Sequence, residues 1–349
     1  MSHFHTLSIK EIVKETSSAV SILFDIPEDL KEFFVFTAGQ YVTLRTTIDG
    51  QDVRRAYSIC SSDNSGEVKI AVKAIENGVF SNYAYDKLSA GDKIEVAPPE
   101  GNFVLNTSKE NSKRYLAFVA GSGITPVLSM IKSVLENEPK STFTLVYGNK
   151  TIEDIIFKNE LDALAKQFIA KLNLKYVLSQ EKKADALEGR IDKNVVNYIV
   201  RDKFNHLNFD EFFLCGPEEM INDVSQTLTE DGFSKENIHF ELFFSSADTK
   251  DVSTADGVSE ITVLVDDEET TFTMDQTDTI LAASLRHSID APYSCQGGVC
   301  SSCMCKVTEG HAIMSANSIL SDDEIEEGLV LACQAHPTTT KIAVDFDDV

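Results

Sequence analysis

The chain has 349 residues, 42% hydrophobic and 25% charged, a globular composition too long for one ordinary domain and neither disordered nor fibrous. Its net charge of −25 gathers toward the end, where 20 Asp and Glu from Ser245 onward face 4 Lys and Arg, −16 of the total. Such a surface repels nucleic acid and anionic membranes and steers toward basic protein partners, although solubility alone would also account for it.

The opening MSHFHTLSIKEIVKE has neither the basic start nor the apolar run of a signal peptide. The longest uncharged stretch, residues 115–131, is too short for a membrane span and is interrupted by two Gly and a Pro. Together these features predict a soluble, cytoplasmic protein with no membrane or nucleic-acid partner. The seven His show no metal-ligand spacing, and no internal repeat is visible.

In chain order, residues 1–108 read as short β segments at 19–25, 41–46, 56–60, 68–74 and 93–97, punctuated by Gly39, Gly50, Gly66 and Gly91. Short strands at turn-marked intervals predict an antiparallel barrel. The segment at 56–60 carries Arg55-Ala56-Tyr57-Ser58. A guanidinium can pair with a pyrophosphate, a phenol can pack on an aromatic ring system, and a hydroxyl can bond its edge. Some twenty residues on, Gly78-Val79-Phe80-Ser81-Asn82 opens a helical stretch whose N-terminus, with Ser81 as cap, could hold phosphate. An ordinary capped helix would read the same.

From Arg114 the rhythm changes to strand and helix in alternation. Apolar runs at 115–120, 142–147, 172–179 and 211–215, with helical patterns between them, predict a parallel α/β sheet over residues 112–244. The first run ends in Gly121-Ser122-Gly123-Ile124-Thr125-Pro126, which is not the G-x-G-x-x-G fingerprint because Pro126 replaces the third Gly. Pro is nevertheless favourable in a first helical turn, and two Gly let backbone approach a dinucleotide pyrophosphate. Leu214-Cys215-Gly216-Pro217 repeats the arrangement after the last run and places a second turn over the same crevice.

Residues 245–259, polar and rich in small side chains, read as a linker. The remainder, 260–349, shows strands at 261–265, 270–273 and 341–346 and a helix at 279–287. Between them stand Cys295, Cys300 and Cys303, with Cys333 after a gap of 29 residues. Four thiolates are what a [2Fe–2S] centre requires, two per iron, and this is the plant-type spacing. A thioredoxin-like pair would need only Cys300 and Cys303, and a zinc ribbon would need a second C-x-x-C around Cys333, which is missing. Cys305 reads as a buried non-ligand.

Residues 260–349 resemble a plant-type ferredoxin domain, including Leu331-Ala332-Cys333-Gln334. Across residues 5–244 the order R-x-Y-S, G-x-x-S, G-S-G-I-T-P, C-G-P resembles the ferredoxin–NADP⁺ reductase superfamily. The resemblance implies an antiparallel flavin barrel, an α/β nicotinamide domain and a β-grasp [2Fe–2S] domain. It further implies that Arg55, Tyr57, Ser58, Gly78, Phe80 and Ser81 bind FAD. Gly121, Ser122, Gly123, Ile124, Thr125, Pro126, Cys215, Gly216 and Pro217 would hold the nicotinamide dinucleotide, with Thr125 and Cys215 near its ring. Glu241 and Phe243 would close over the flavin. Lys150, Ser179 and Arg190 match positions that meet a 2′-phosphate, which implies NADPH, with NADH possible. Gln180 stands where an Arg would be usual, and Lys182 or Lys183 could compensate.

Domains in this order are similar to oxygenase reductases of the phenylacetyl-CoA epoxidase group. That implies electron flow from NAD(P)H through FAD and the cluster to an oxygenase or other protein acceptor, for which the acidic charge of the chain predicts a basic docking face. An FMN-containing dioxygenase reductase, a general ferredoxin or flavodoxin reductase, and a flavin-free scaffold with vestigial motifs are the alternative readings.

Overall fold

The computed structural model describes residues 4–243 and 257–349. It divides into two compact units, Phe4–Glu241 and Leu242–Val349. Most of the predicted linker and Phe244 lie outside the described residues, and strand β13 already begins at Val258, within the last positions read as linker.

The first unit opens with six antiparallel strands: β1 (His5–Thr16), β2 (Ala19–Asp25), β3 (Tyr41–Ile48), β4 (Gln51–Ser58), β5 (Lys69–Lys73) and β6 (Lys93–Val96). They run in the order β4-β3-β6-β1-β2-β5. Inward residues such as Leu7, Ile22, Leu44, Ile70 and Val96 are essentially inaccessible and form the barrel core. Strand β1 was not among the predicted elements. Lys10, Glu11, Lys14 and Glu15 interrupt its apolar alternation: residues 5–8 pair with β6 and residues 8–16 with β2, so most of the strand borders one neighbour. Helix α1 (Val79–Asp86) follows β5.

Six further strands form a parallel sheet: β7 (Arg114–Ala120), β8 (Thr142–Asn149), β9 (Leu172–Leu178), β10 (Leu187–Glu188), β11 (Glu211–Cys215) and β12 (Ile238–Glu241). Its order is β10-β9-β8-β7-β11-β12. Strand β7 is buried along its apolar run, as a strand covered on both faces must be. Helices α2 (Ile124–Asn137), α3 (Lys158–Gln167), α4 (Lys193–Asn197) and α5 (Glu218–Glu230) connect the strands. The chain leaves β7 in one direction toward β10 and returns to its other side as β11, so a crevice opens between the carboxyl ends of β7 and β11.

The second unit is a five-stranded mixed sheet ordered β14-β13-β19-β15-β17, with a two-stranded ladder of β16 and β18. The strands are β13 (Val258–Val265), β14 (Glu268–Asp275), β15 (Met304–Glu309), β16 (Ala312–Met314), β17 (Leu329–Leu331), β18 (Ala335–Pro337) and β19 (Lys341–Asp345). A hairpin, helix α6 (Ile280–Arg286) and a parallel pairing of β13 with β19 give the β-grasp arrangement. The Thr279 hydroxyl caps α6 by accepting from Ala282 N–H at 3.2 Å. A short acidic helix, α7 (Asp322–Glu326), precedes β17.

Candidate functional site

The end of β4 and the start of α1 meet through their aromatic residues. The Tyr57 and Phe80 rings lie 5.5 Å apart at 37°, which joins the two predicted flavin motifs on one wall of the barrel. Burial pushes the Tyr57 phenol well above its ordinary range, against the pull of the nearby Arg55 charge. Arg55 donates to its neighbour's carbonyl, Arg54 O, at 2.6 Å and has no carboxylate partner among the described residues. An arginine left without a counter-ion beside two packed aromatic rings suits an anionic dinucleotide.

Ser81 does not cap α1. Gly78 occupies the N-cap position, and the buried Ser81 hydroxyl instead accepts from Ile75 N–H at 3.3 Å. The turn is tight at 78, since a Cβ there would stand 2.2 Å from Ser81 Oγ and 2.6 Å from Ile75 Cγ1 and would force those side chains to shift. The first amides of α1 therefore lack a side-chain cap and remain available to an anion.

The nicotinamide motifs converge at the carboxyl edge of the parallel sheet. Gly121–Gly123 forms a tight turn and α2 begins at Ile124, which puts Thr125 and Pro126 in its first turn. Buried Thr125 donates to Ser122 O at 3.1 Å, and Tyr147 donates to Gly121 O at 2.8 Å, fixing the loop from two sides. A Cβ on Gly123 would lie 2.3 Å from Cys215 O, so this contact between the two motifs requires glycine. Cys215 is fully buried; burial first, and then the Glu241 charge, hold its thiol well above the ordinary value.

Strand register brings in the third partner, since Cys215 pairs with Val119 on one side and with Glu241 on the other. The Ser58 hydroxyl donates to Glu241 Oε2 at 3.3 Å. Burial pushes the Glu241 carboxyl up to about 8, although that hydrogen bond works in the opposite direction. Ser58, Cys215 and Glu241, from β4, β11 and β12, thus form one cluster where the barrel meets the crevice. Phe243, two residues beyond β12, is partly buried.

The residues expected at a 2′-phosphate stand on neighbouring strands. Ser179 N–H donates to Asn149 O at 3.0 Å and Gln180 N–H to Lys150 O at 2.9 Å, while Gly189, beside Arg190, donates to Leu178 O at 2.8 Å. Lys150 and Arg190 are exposed and make no ion pair among the described residues. Lys182 and Lys183, which could compensate for Gln180, pair with Glu188 at 2.7 Å and Glu181 at 3.0 Å. One cation in this region escaped the sequence reading. Lys73, the last residue of β5, places its ammonium 3.7 Å from where a Cβ on Gly121 would stand. It lies far from both motifs in sequence, and only the approach of β5 to the 121–123 turn reveals it.

In the second unit the four cysteines stand as two neighbouring pairs, Cys295 beside Cys300 and Cys303 beside Cys333. No three His, Cys, Asp or Glu among the described residues converge on a single ion. Two pairs, however, are what two irons with two thiolates each require. Gly297 N–H donates to Cys295 Sγ at 3.3 Å, and Gln334 Nε2 donates to Gln296 O at 2.9 Å, tying the loop to the segment bearing Cys333. The buried Ser294 hydroxyl, next to Cys295, has no hydrogen-bond partner among the described residues. A buried hydroxyl left over beside paired thiols fits a group with inorganic sulfides. Cys305 is fully buried in the sheet core.

Family models match residues 6–105 as an oxidoreductase FAD-binding domain, 118–226 as an oxidoreductase NAD-binding domain and 263–338 as a 2Fe-2S iron-sulfur cluster binding domain. Over 351 aligned residues the chain is 40% identical to one of the components of 1,2-phenylacetyl-CoA epoxidase from Escherichia coli (strain K12), covering 99% of each. The chain belongs to the oxygenase reductase family. The ferredoxin reductase component of 3-ketosteroid-9-alpha-monooxygenase from Rhodococcus rhodochrous is another relative, 33% identical over 97% of this chain and 96% of its own. Phthalate dioxygenase reductase shares the fold with a TM-score of 0.64 at 22% identity, covering 98% of both chains. As a member of this family the reductase is an NAD(P)H-dependent oxidoreductase with FAD, nicotinamide and [2Fe–2S] domains, in the order expected from its motifs. No helix among the described residues is long and apolar enough to cross a membrane.

Proposed function

We propose that this reductase draws electrons from NADPH and delivers them singly to a cytoplasmic oxygenase with a basic docking face, an epoxidase of phenylacetyl-CoA being the acceptor to test. The observation that carries the electron-entry half is the Ser58–Glu241 contact beside Cys215, where a flavin-motif strand meets the nicotinamide crevice. The 40% identity over 99% of the chain to the epoxidase component supports the choice of acceptor. FAD supplies two-electron uptake from nicotinamide and one-electron release to an iron–sulfur centre.

The residues divide the remaining work. Arg55 and the open amides of α1 hold phosphate, while Tyr57 and Phe80 pack against the ring system and its chain. Thr125, Cys215 and the 121–123 turn orient the nicotinamide and keep water from the crevice. Ser58 and Glu241 hold a proton at the flavin edge, and Lys150 and Arg190 meet the 2′-phosphate. Cys295, Cys300, Cys303 and Cys333 hold the cluster. The exposed carboxylates Asp322, Asp323, Glu326 and Glu327 on and just after α7 support a basic partner.

Reconstitution tests the assignment. The purified reductase, NADPH and the epoxidase's catalytic components should yield epoxide from phenylacetyl-CoA, at a rate falling as ionic strength rises. Rapid NADPH-dependent reduction of ferricyanide without any product from this acceptor would overturn the choice of partner while leaving the redox chemistry intact.

A further inference from the structure

We infer that the C-terminal half of α2 is a polar clasp gripping the barrel, and that Lys132 within it is a positioning residue for hydride transfer. The inference rests on reading the Gly121–Gly123 turn as the nicotinamide loop and β4 as the flavin strand. The Lys132 side chain is only 14% exposed, and its ammonium forms an ion pair with Glu160 of α3 at 2.6 Å. It also donates to Cys60 O at 3.0 Å, across to the barrel. Cys60 lies two residues beyond Ser58. One cation from the nicotinamide helix is thus seated on the chain that leaves the flavin motif.

The neighbouring positions extend the grip. Ser133 Oγ accepts from Asp63 N–H at 3.2 Å, and Glu136 accepts from the Ser62 hydroxyl at 2.5 Å. Asn137 donates to Thr107 Oγ1 at 3.0 Å and accepts from Asn64 Nδ2 at 2.5 Å. Positions 132, 133, 136 and 137 share one face of a helix. Elsewhere α2 is a buried apolar helix, with Val127, Leu128, Met130, Ile131 and Val134 all inaccessible. Its polar stripe meets the 60–64 loop of the barrel, where a surface helix would meet water.

Leverage explains the consequence. Seven residues separate Thr125 from Lys132, roughly 10 Å of helix at about 1.5 Å per residue. A tilt of about 6° at the clasp therefore moves the first turn by about 1 Å, and a displacement of that size can cost roughly a hundredfold in rate. Lys132 touches neither cofactor motif side chain, so its effect passes through the direction of α2. Unlike an apolar contact, an ion pair plus a directed hydrogen bond fixes an angle as well as a distance.

The decisive variant is Lys132→Met, which keeps the stem and removes the charge, with Lys132→Arg as the conservative rescue. FAD content, KM for NADPH, the stopped-flow rate of flavin bleaching and the long-wavelength charge-transfer absorbance would be measured on the full-length holoprotein. The clasp predicts FAD content and KM within about twofold of wild type, bleaching slowed by roughly tenfold or more and a weakened charge-transfer band, with Arg restoring most of both. Unchanged bleaching in Lys132→Met would overturn the inference, as would a loss confined to KM. If Lys132→Met does not retain FAD, Asn137→Ala decides: slowed bleaching at normal FAD content supports the clasp, and a wild-type rate refutes it. Wild-type protein that is not bleached by NADPH would instead refute the nicotinamide reading itself.

Discussion

The Ser58 hydroxyl lies 3.3 Å from the Glu241 carboxylate although 183 residues of chain separate them. One belongs to the antiparallel barrel and the other to the last strand of the parallel sheet, so the contact forms only when both are folded and docked. It sits beside the point where Gly123 abuts Cys215, with no room for a side chain between them. Four motifs that are individually common in sequences therefore close on one small volume, and that convergence is what suits a site for hydride transfer.

The first consequence is a pH dependence. Burial pushes the Glu241 carboxyl up to about 8, so it carries its proton at neutral pH. NADPH-dependent ferricyanide reduction should decline as pH rises through about 8, and Glu241→Gln should remove that limb while lowering kcat by roughly ten- to a hundredfold. Stability follows the same sign. A carboxyl raised from 4.5 in the fold stabilises fully below that value and loses the contribution as pH climbs to about 8. The Tm of wild type relative to Glu241→Gln should accordingly fall across that window. An alkaline limb that persists in the variant would assign it to another group.

The second consequence concerns the nucleotide. Lys150 and Arg190 are exposed cations on neighbouring strand ends with no ion pair among the described residues, whereas Lys182 and Lys183 are engaged by Glu188 and Glu181. Replacing both free cations, Lys150→Ala with Arg190→Ala, should lower the NADPH to NADH ratio of kcat/KM by roughly five- to thirtyfold, the range expected for two solvent-exposed charge contacts. Adding Lys182→Ala instead should leave the ratio near wild type. Steady-state kinetics with both nucleotides checks this, and an unchanged ratio in the double variant would remove the assignment.

Local chemistry explains what could be read from the chain and what could not. The cysteine spacing is a short-range pattern, and the structure gathers all four thiols as pairs. Strands 19–25 and 211–215 were legible because apolar runs end at turn residues. Strand β1 was hidden by its charges, which are tolerated where it borders a single neighbour. Ser81 looked like a cap because its place in the first turn depends on the tight approach of Gly78 to Ile75, a fact of backbone shape. Lys73 and Lys132 were invisible for a different reason: each meets a loop or turn far away in sequence, Gly121 and Cys60, and no periodicity in one sequence marks such a pair.

The last prediction separates the two halves of the electron path. Hydride uptake depends on residues of the Phe4–Glu241 unit, while Cys333 lies in the Leu242–Val349 unit and pairs with Cys303. Each unit buries its own apolar core, so loss of one metal ligand need not unfold the other unit. Cys333→Ser exchanges a thiolate for a harder oxygen and should abolish or greatly weaken cluster assembly, read as lost iron, lost acid-labile sulfide and a changed visible spectrum. FAD content and NADPH-dependent reduction of ferricyanide, a small acceptor able to take electrons from the flavin directly, should stay within about twofold of wild type. Turnover with the oxygenase, or with cytochrome c as a protein surrogate, should fall by roughly a hundredfold or more, because a one-electron relay has been removed from the path. A cluster-free variant that still drives the oxygenase at the wild-type rate would sink the relay: electrons would then leave from the flavin, and the ferredoxin unit would serve only to dock.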